Sequence, residues 1–218
     1  MMEEEKIEKI MEILKSNYPT HTKTTLNRMR DKPNAFRILI SCLLSLRTQD
    51  KNTEIASKKL FEVADTPEEI IKLPIKELER VIYSSGYYKN KARTLKHVSE
   101  IILKDYKGKV PDRREELESI KGIGPKTANI VLAFAFGKNV LPIDTHCHRI
   151  PNRLGWVKTR SPPQTEIELG KILPEKYWAD FNGIFVQFGK TICVPISPKC
   201  FECPINQYCQ KIGVGKRR

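Results

Sequence analysis

Four of the six cysteines in this 218-residue chain crowd into one stretch, CVPISPKCFECPINQYC, running from Cys193 to Cys209. Cys193, Cys200, Cys203 and Cys209 are spaced C-x6-C-x2-C-x5-C. Thiolates are soft ligands, and four of them can hold either zinc or an iron–sulfur cluster. The spacing differs both from the x2-x2-x3 run of bacterial ferredoxins and from paired CxxC zinc ribbons. A second stretch with chemical potential is IKGIGPKT, residues 120–127. Gly122 and Gly124 flank the apolar Ile123, so a tight turn is expected with a helix behind it. Such a turn presents backbone N–H groups and the positive end of the helix dipole to an anion, phosphate being the natural ligand. An ordinary helix–helix turn capped by glycines is the alternative.

Lys126 falls in the first turn of that following helix, one position after Pro125. A helix N-terminus and basic neighbours disfavour an ammonium ion, which suits a lysine used as an amine nucleophile; a phosphate-binding lysine is the plainer reading. Asp144, in PIDTHCHR, reads as a helix N-cap. His146 and His148 bracket Cys147 and suggest a metal site. Positions i and i+2 on a helix face different ways, however, so Cys147 is read as a core thiol.

The elements that must position these residues are helical. Ile7, Ile10, Met11 and Leu14 recur at i, i+3, i+4, i+7, one buried stripe on an opening helix. NAFRILISCLLSL is apolar almost all round, as a central buried helix should be. Asp50 is expected to cap KNTEIASKKLFEVA, and Thr66-Pro67-Glu68-Glu69 has the pattern of a capping box. Further helices are expected in IKELERVIYSSG, ending at Gly86, and in NKARTLKHVSEIILKDY. Others are expected in RREELESI, opened by Asp112 and Glu115, in KTANIVLAFAF up to Gly137, in QTEIELGKIL and in EKYWADFNGIFVQFGKTIC. No period-2 strand pattern and no repeat is evident, so the fold class is all-α.

The formal net charge of +13 and the pI near 9.5 favour a polyanionic partner, nucleic acid first. The opening MMEEEKIEKIMEILKSNYP is acidic and amphipathic, unlike a signal peptide, and RILISCLLSL is too short and too polar for a membrane span. A cytoplasmic, intracellular monomer associated with the nucleoid is expected, with no membrane contact. Disulfides are disfavoured in such a compartment, and clustered cysteines there are more often metal ligands.

Taken in order, LLSLRTQD, GYYKNKA, IKGIGPKTANIVL, IDTHCHRIPNRLGW and the terminal cysteines resemble the endonuclease III family of DNA glycosylases. This family carries a helix-hairpin-helix and a Gly/Pro-Asp motif. The resemblance covers nearly the whole chain. It implies two helical domains with a DNA-binding cleft between them: a six-helix domain over 28–138 that ends with the hairpin, and an iron–sulfur domain made of 1–27 and 139–218. It implies a [4Fe–4S] cluster on Cys193, Cys200, Cys203 and Cys209. Lys126 would be the nucleophile that leaves a Schiff base to the deoxyribose, and Asp144 the catalytic aspartate. Gly122, Ile123 and Gly124 would meet DNA backbone, and Lys199 would lie near phosphates. An enzyme of this type flips its target base and fills the gap. The filling positions are Arg47, where the family usually has glutamine, and Tyr87, where it often has leucine. Asp50 matches a family aspartate. The implied activity is base-excision repair on double-stranded DNA carrying damaged bases or abasic sites: removal of oxidised or ring-damaged pyrimidines, then strand cleavage by β-elimination. The alternatives are a thymine or uracil mismatch glycosylase and a non-catalytic DNA-binding iron–sulfur protein.

Overall fold

The computed structural model describes residues 3–19 and 33–217, and among these every regular element is an α-helix or a short 3₁₀ turn. The expected domain boundary at 27/28 lies outside the described residues. The described chain falls into two compact units, one of residues 3–19 with 139–217 and one of residues 33–138. No helix among the described residues is long and apolar enough to cross a membrane.

The unit of 33–138 holds seven helical segments: α2 (Ala35–Ser45), α3 (Asp50–Val63), α4 (Pro67–Lys72), α5 (Ile75–Val81), α6 (Tyr88–Tyr106), α7 (Arg114–Ser119) and α8 (Pro125–Phe136). The resemblance implies six. Leu73-Pro74 separates α4 from α5, because Pro74 has no N–H to continue a helix and disfavours helical backbone before it. The capping box at α4 is present as expected: the Thr66 hydroxyl accepts from Glu69 N, and the Glu69 carboxylate accepts from Thr66 N. Two expected caps are not formed. Asp50 is the first residue of α3 and Gln49 takes the cap position without a side-chain bond. Arg113 takes the cap position of α7, and Asp112 instead accepts from Lys138 Nζ at 3.0 Å. α5 also stops at Val81, short of the expected Gly86, which leaves residues 82–87 as a loop. The nearly all-apolar α2 packs on α3, α6 and α8, and Ile38, Leu39, Ile40, Leu43 and Leu44 are fully buried. This is the environment in which a helix apolar on every side is stable.

The other unit holds α1 (Glu3–Asn17), α9 (Thr145–Leu154), α10 (Pro162–Ile172) and α11 (Trp178–Thr191), with 3₁₀ turns at Glu175–Tyr177, Cys200–Glu202 and Asn206–Tyr208. The predicted stripe Ile7, Ile10, Met11 and Leu14 is buried in a core with Ile150, Leu154, Phe181, Phe185 and Phe188. Phe181 and Phe185 stack at 4.1 Å between ring centroids. This core carries α9 on one side and the cysteine-bearing chain after α11 on another, so both are fixed to the same apolar body.

Candidate functional site

The hairpin between α7 and α8 is built around two glycines that do different work. Gly122 has φ +108°, and a Cβ there would lie 2.7 Å from Thr94 Cγ2 on α6, so the turn seats against α6 only with glycine. Ile123 is buried, and its N–H donates to Ile120 O at 3.0 Å. Its side chain therefore anchors the turn and its amide closes it. Gly124 is the cap of α8, in extended backbone, with no side-chain bond to the helix amides; a Cβ placed there would meet nothing within 4 Å. Pro125 follows at N1, and Lys126 is the second helical residue. The start of α8 is thus an open helix N-terminus without a side-chain cap, as anion binding requires. Behind it, burial pushes the Cys42 thiol on α2 up to about 12, and the positive charge of Lys126 acts against that rise. Lys126 therefore lies in the electrostatic range of α2.

Arg47 and Tyr87, predicted separately from two loops, are brought together. The Arg47 guanidinium sits over the Tyr87 ring, 5.9 Å from its centroid. Both side chains are exposed, and both residues have left-handed backbone, φ 53° and 59°. Such conformations are costly for non-glycine residues and are worth a functional reading. Tyr87 is the cap of α6, and Arg47 lies in the turn that follows α2. One residue that sequence reasoning missed ties the Arg47 turn to α6. Lys91, 8 % exposed, donates from Nζ to Leu44 O and to Thr48 Oγ1, both at 2.6 Å. Desolvation pulls its ammonium down to about 8. The only sequence-level signal was a lysine on the inner face of an amphipathic helix.

In the other unit, Asp144 caps α9: Oδ1 accepts from His146 N and from Cys147 N, both at 2.8 Å. Cys147 is fully buried, and the two histidines diverge. His148 Nδ1 meets Thr165 Oγ1 at 2.6 Å, whereas His146 Nδ1 meets Arg149 Nη2 at 3.1 Å. Their ring nitrogens thus have different partners.

Cys193, Cys200, Cys203 and Cys209 are free thiols, partly buried, and all four line one apolar hollow together with Ile150, Leu154, Phe188 and Ile205. Burial pushes the Cys203 thiol up to about 11, with backbone donation from Ile205 opposing and the other three thiols adding to the rise. Cys209 is raised for the same main reason. Two cationic or polar donors already face the sulfurs: Arg153 Nη1 at 3.4 Å from Cys193 Sγ, and Lys211 N at 3.3 Å from Cys209 Sγ. Arg153, on α9, also holds Val194 O at 2.8 Å and Pro195 O at 2.6 Å; this contact too was invisible in the sequence. Among the described residues, no group of three or more His, Cys, Asp or Glu could hold a metal ion. Lys199 lies beside Cys200 and faces Glu202 across 3.7 Å, so part of its charge is answered within the loop.

Residues 40–175 match the model of the HhH-GPD superfamily of base excision DNA repair proteins. The chain is 50% identical to endonuclease III of Thermotoga maritima over 183 residues, covering 84% of this chain and 86% of that protein. It superposes on a trapped covalent endonuclease III–DNA intermediate with a TM-score of 0.85, 33% identity and 97% of each chain covered. It also superposes on a thermostable thymine-DNA glycosylase with a TM-score of 0.83, 25% identity, and 95% and 96% of the two chains covered. The chain belongs to the endonuclease III family, within the HhH-GPD superfamily of base excision DNA repair proteins.

Proposed function

We propose that Lys126 is the nucleophile of this DNA glycosylase and AP lyase, acting on oxidised or ring-damaged pyrimidines in duplex DNA. The observation that carries the reading is the position of Lys126, the second residue of a helix whose open N-terminus has no side-chain cap. It lies in a chain that matches a trapped covalent endonuclease III–DNA complex over 97% of its length. In this reading the amine attacks the sugar carbon that bears the damaged base. The carbon–base bond breaks and its electron pair leaves with the base. The nitrogen then gives up a proton, its lone pair expels the ring oxygen, which takes up a proton, and the opened sugar is left as a protonated Schiff base. Loss of a proton from the neighbouring sugar carbon then expels the 3′ phosphate, and water releases the lysine. Asp144 offsets the positive charge that develops on the sugar and accepts a proton. Its cap bonds keep the carboxylate oriented. Gly124 and the first amides of α8 take a phosphate, and Arg47 with Tyr87 fills the space left by the flipped base.

In the same reading the four cysteines hold a [4Fe–4S] cluster. The reading is supported by all four cysteines lining one apolar hollow in a chain of the endonuclease III family. When bound, the cluster would order the loop that carries Lys199. The cluster-bearing region is assigned to 1–27 with 139–218, and the hairpin region to 28–138.

The test is borohydride trapping on duplexes that each carry one defined lesion. Trapped complex is expected with oxidised pyrimidines and with abasic sites. Damaged base released with no trapped complex would overturn the lyase role of Lys126. The likeness to a thymine-DNA glycosylase supports a second reading, removal of mismatched thymine or uracil. Preferential turnover of those substrates on the same panel would establish it.

A further inference from the structure

We infer that Lys91 is a positioning residue that locks the Arg47 and Tyr87 loops into one gap-filling unit. This rests on the filling role given above to Arg47 and Tyr87. Each of these side chains is presented by left-handed backbone, which for arginine and tyrosine persists only where the surroundings over-determine it. The surroundings in question are few. Lys91 lies one turn into α6, and its own N–H donates to Tyr87 O at 3.1 Å, so its backbone holds the Tyr87 side. Its side chain runs to the end of α2, where Nζ donates to Leu44 O and to Thr48 Oγ1, one residue on each side of the Leu46-Arg47 turn tip being thereby held. Thr48 itself donates from N to Ser45 O at 3.1 Å, closing the turn. Lys91 thus ties the Arg47 turn, through its side chain, to the helix start that carries Tyr87, through its backbone.

The chemistry of the strut suits the task. An ammonium at the C-terminal end of a helix answers carbonyls that have no intrahelical donor and is favoured by the dipole. Both of its acceptors are neutral, so the cost of burying the charge shows as the ammonium's descent to about 8. A buried lysine with no role would be replaced at little loss by a methionine of similar shape. A strut would not, because the two loops would then vary independently, and misplacement of a positioning group by an ångström costs roughly a hundredfold.

The experiment compares Lys91→Met with wild type on two substrates under single-turnover conditions, in the full chain. A duplex with one oxidised pyrimidine has a gap to fill. A single-stranded abasic oligonucleotide has none and reports only amine chemistry through borohydride trapping. Lys91→Met is expected to slow the duplex reaction by roughly one to two orders of magnitude. Trapping on the single strand should fall far less. In an Arg47→Ala/Tyr87→Ala background, the same Lys91→Met change is expected to add almost nothing, because the unit it locks is gone. Thr48→Val removes one of the two contacts and keeps the fold, and should show the same pattern at smaller amplitude. 2-Aminopurine opposite the lesion should report the loss as weakened fluorescence change on binding. If the double background leaves duplex turnover intact, the filling role of Arg47 and Tyr87 fails, and this inference with it. If that background is slow but Lys91→Met multiplies the loss in full, or slows both substrates alike, the inference alone fails and Lys91 is a general stabiliser.

Discussion

Two helix starts in this protein solve the same electrostatic problem in opposite ways. Every α-helix begins with amides that lack an intrahelical acceptor and with a net positive end. At α9 the chain answers from within: Asp144 Oδ1 accepts two of those amides at 2.8 Å. At α8 the chain withholds an answer: Gly124 has no side chain, the space its Cβ would occupy is open, and Pro125 removes one donor that would have wanted a partner. The first arrangement fixes a carboxylate in place; the second leaves room for an anion that the protein does not supply. Their supports differ as well. α8 stands on apolar packing, with Thr127, Ala128, Val131 and Leu132 buried, whereas α9, with Ile150 and Leu154 in the core, is also braced by Arg153 and Arg149. Arg149 Nη2 reaches Cys193 O at 2.7 Å and Gly189 O at 3.3 Å. The difference teaches that glycine at a helix start can be as specific a choice as aspartate. It keeps the dipole available for a ligand.

The sharpest way to break this contrast is Lys126→Gln. Glutamine retains the length and helix propensity of the side chain, so α8 and its open start should survive. The amine is lost, and both base removal and borohydride trapping should fall by more than about a thousandfold, as when a covalent nucleophile is deleted. Binding to damaged duplex should fall far less, as a filter-binding or anisotropy titration would report. Trapping at the wild-type level would show that another amine forms the Schiff base. Asp144→Asn comes next in size. Asparagine caps helices about as well as aspartate, so the melting temperature should hardly move. Base removal should drop by roughly two to three orders of magnitude, the usual loss of preorganised charge stabilisation. A preformed abasic site already exposes an aldehyde, so some strand nicking should persist there. If Asp144→Asn instead lowers stability as much as activity, the carboxylate serves only the cap.

Cys203→Ser tests the different supports of the two helix starts. Loss of one ligand should take iron and sulfide, about four irons per chain, out of the purified protein and leave it colourless. Hydrogen exchange should rise after Cys193 and along the Arg153 side of α9, while α2 and α8 keep their protection. Stoichiometric zinc in the wild-type protein would overturn the cluster assignment.

What could be read from the sequence divides along physical lines. Local signals carried far: the all-apolar face of α2, the Thr66–Glu69 box, Pro125 and Gly137 bounding α8, and the Asp144 cap are each written in a few adjacent residues. Asp50 and Asp112 show the limit of that logic. Either could have capped a helix, but the cap fell one residue earlier in one case and one later in the other, and Asp112 was taken by Lys138. Left-handed backbone at Arg47 and Tyr87 had no herald, because only glycine and asparagine announce it. Lys91, Arg149 and Arg153 were missed for a related reason: their partners are backbone carbonyls distant in the chain, and a carbonyl has no sequence signature. The charge of +13 made these lysines and arginines harder still to tell from solvated surface. The assembly of Arg47 with Tyr87 came only from the fold.

The smallest change is the most direct test of the bare helix start. Gly124→Asp would give α8 what α9 already has. The backbone at Gly124, φ −97° and ψ 173°, suits any residue, and the added side chain would enter open space. Aspartate there should accept the first amides of α8 and stabilise the fold by no more than a few tenths of a kcal/mol over glycine. The same carboxylate would occupy the place of a phosphate and repel its neighbours on the strand. Affinity for damaged and undamaged duplex should therefore fall together, by roughly three- to tenfold, with a shallower dependence on salt. Gly122→Asp makes the contrast, since φ +108° and the Thr94 methyl 2.7 Å away should cost stability first and binding only as a consequence. A Gly124→Asp variant that melts slightly higher and binds every duplex as wild type does would mean that no phosphate sits at this helix start. A loss confined to one lesion would mean that the turn reads the base.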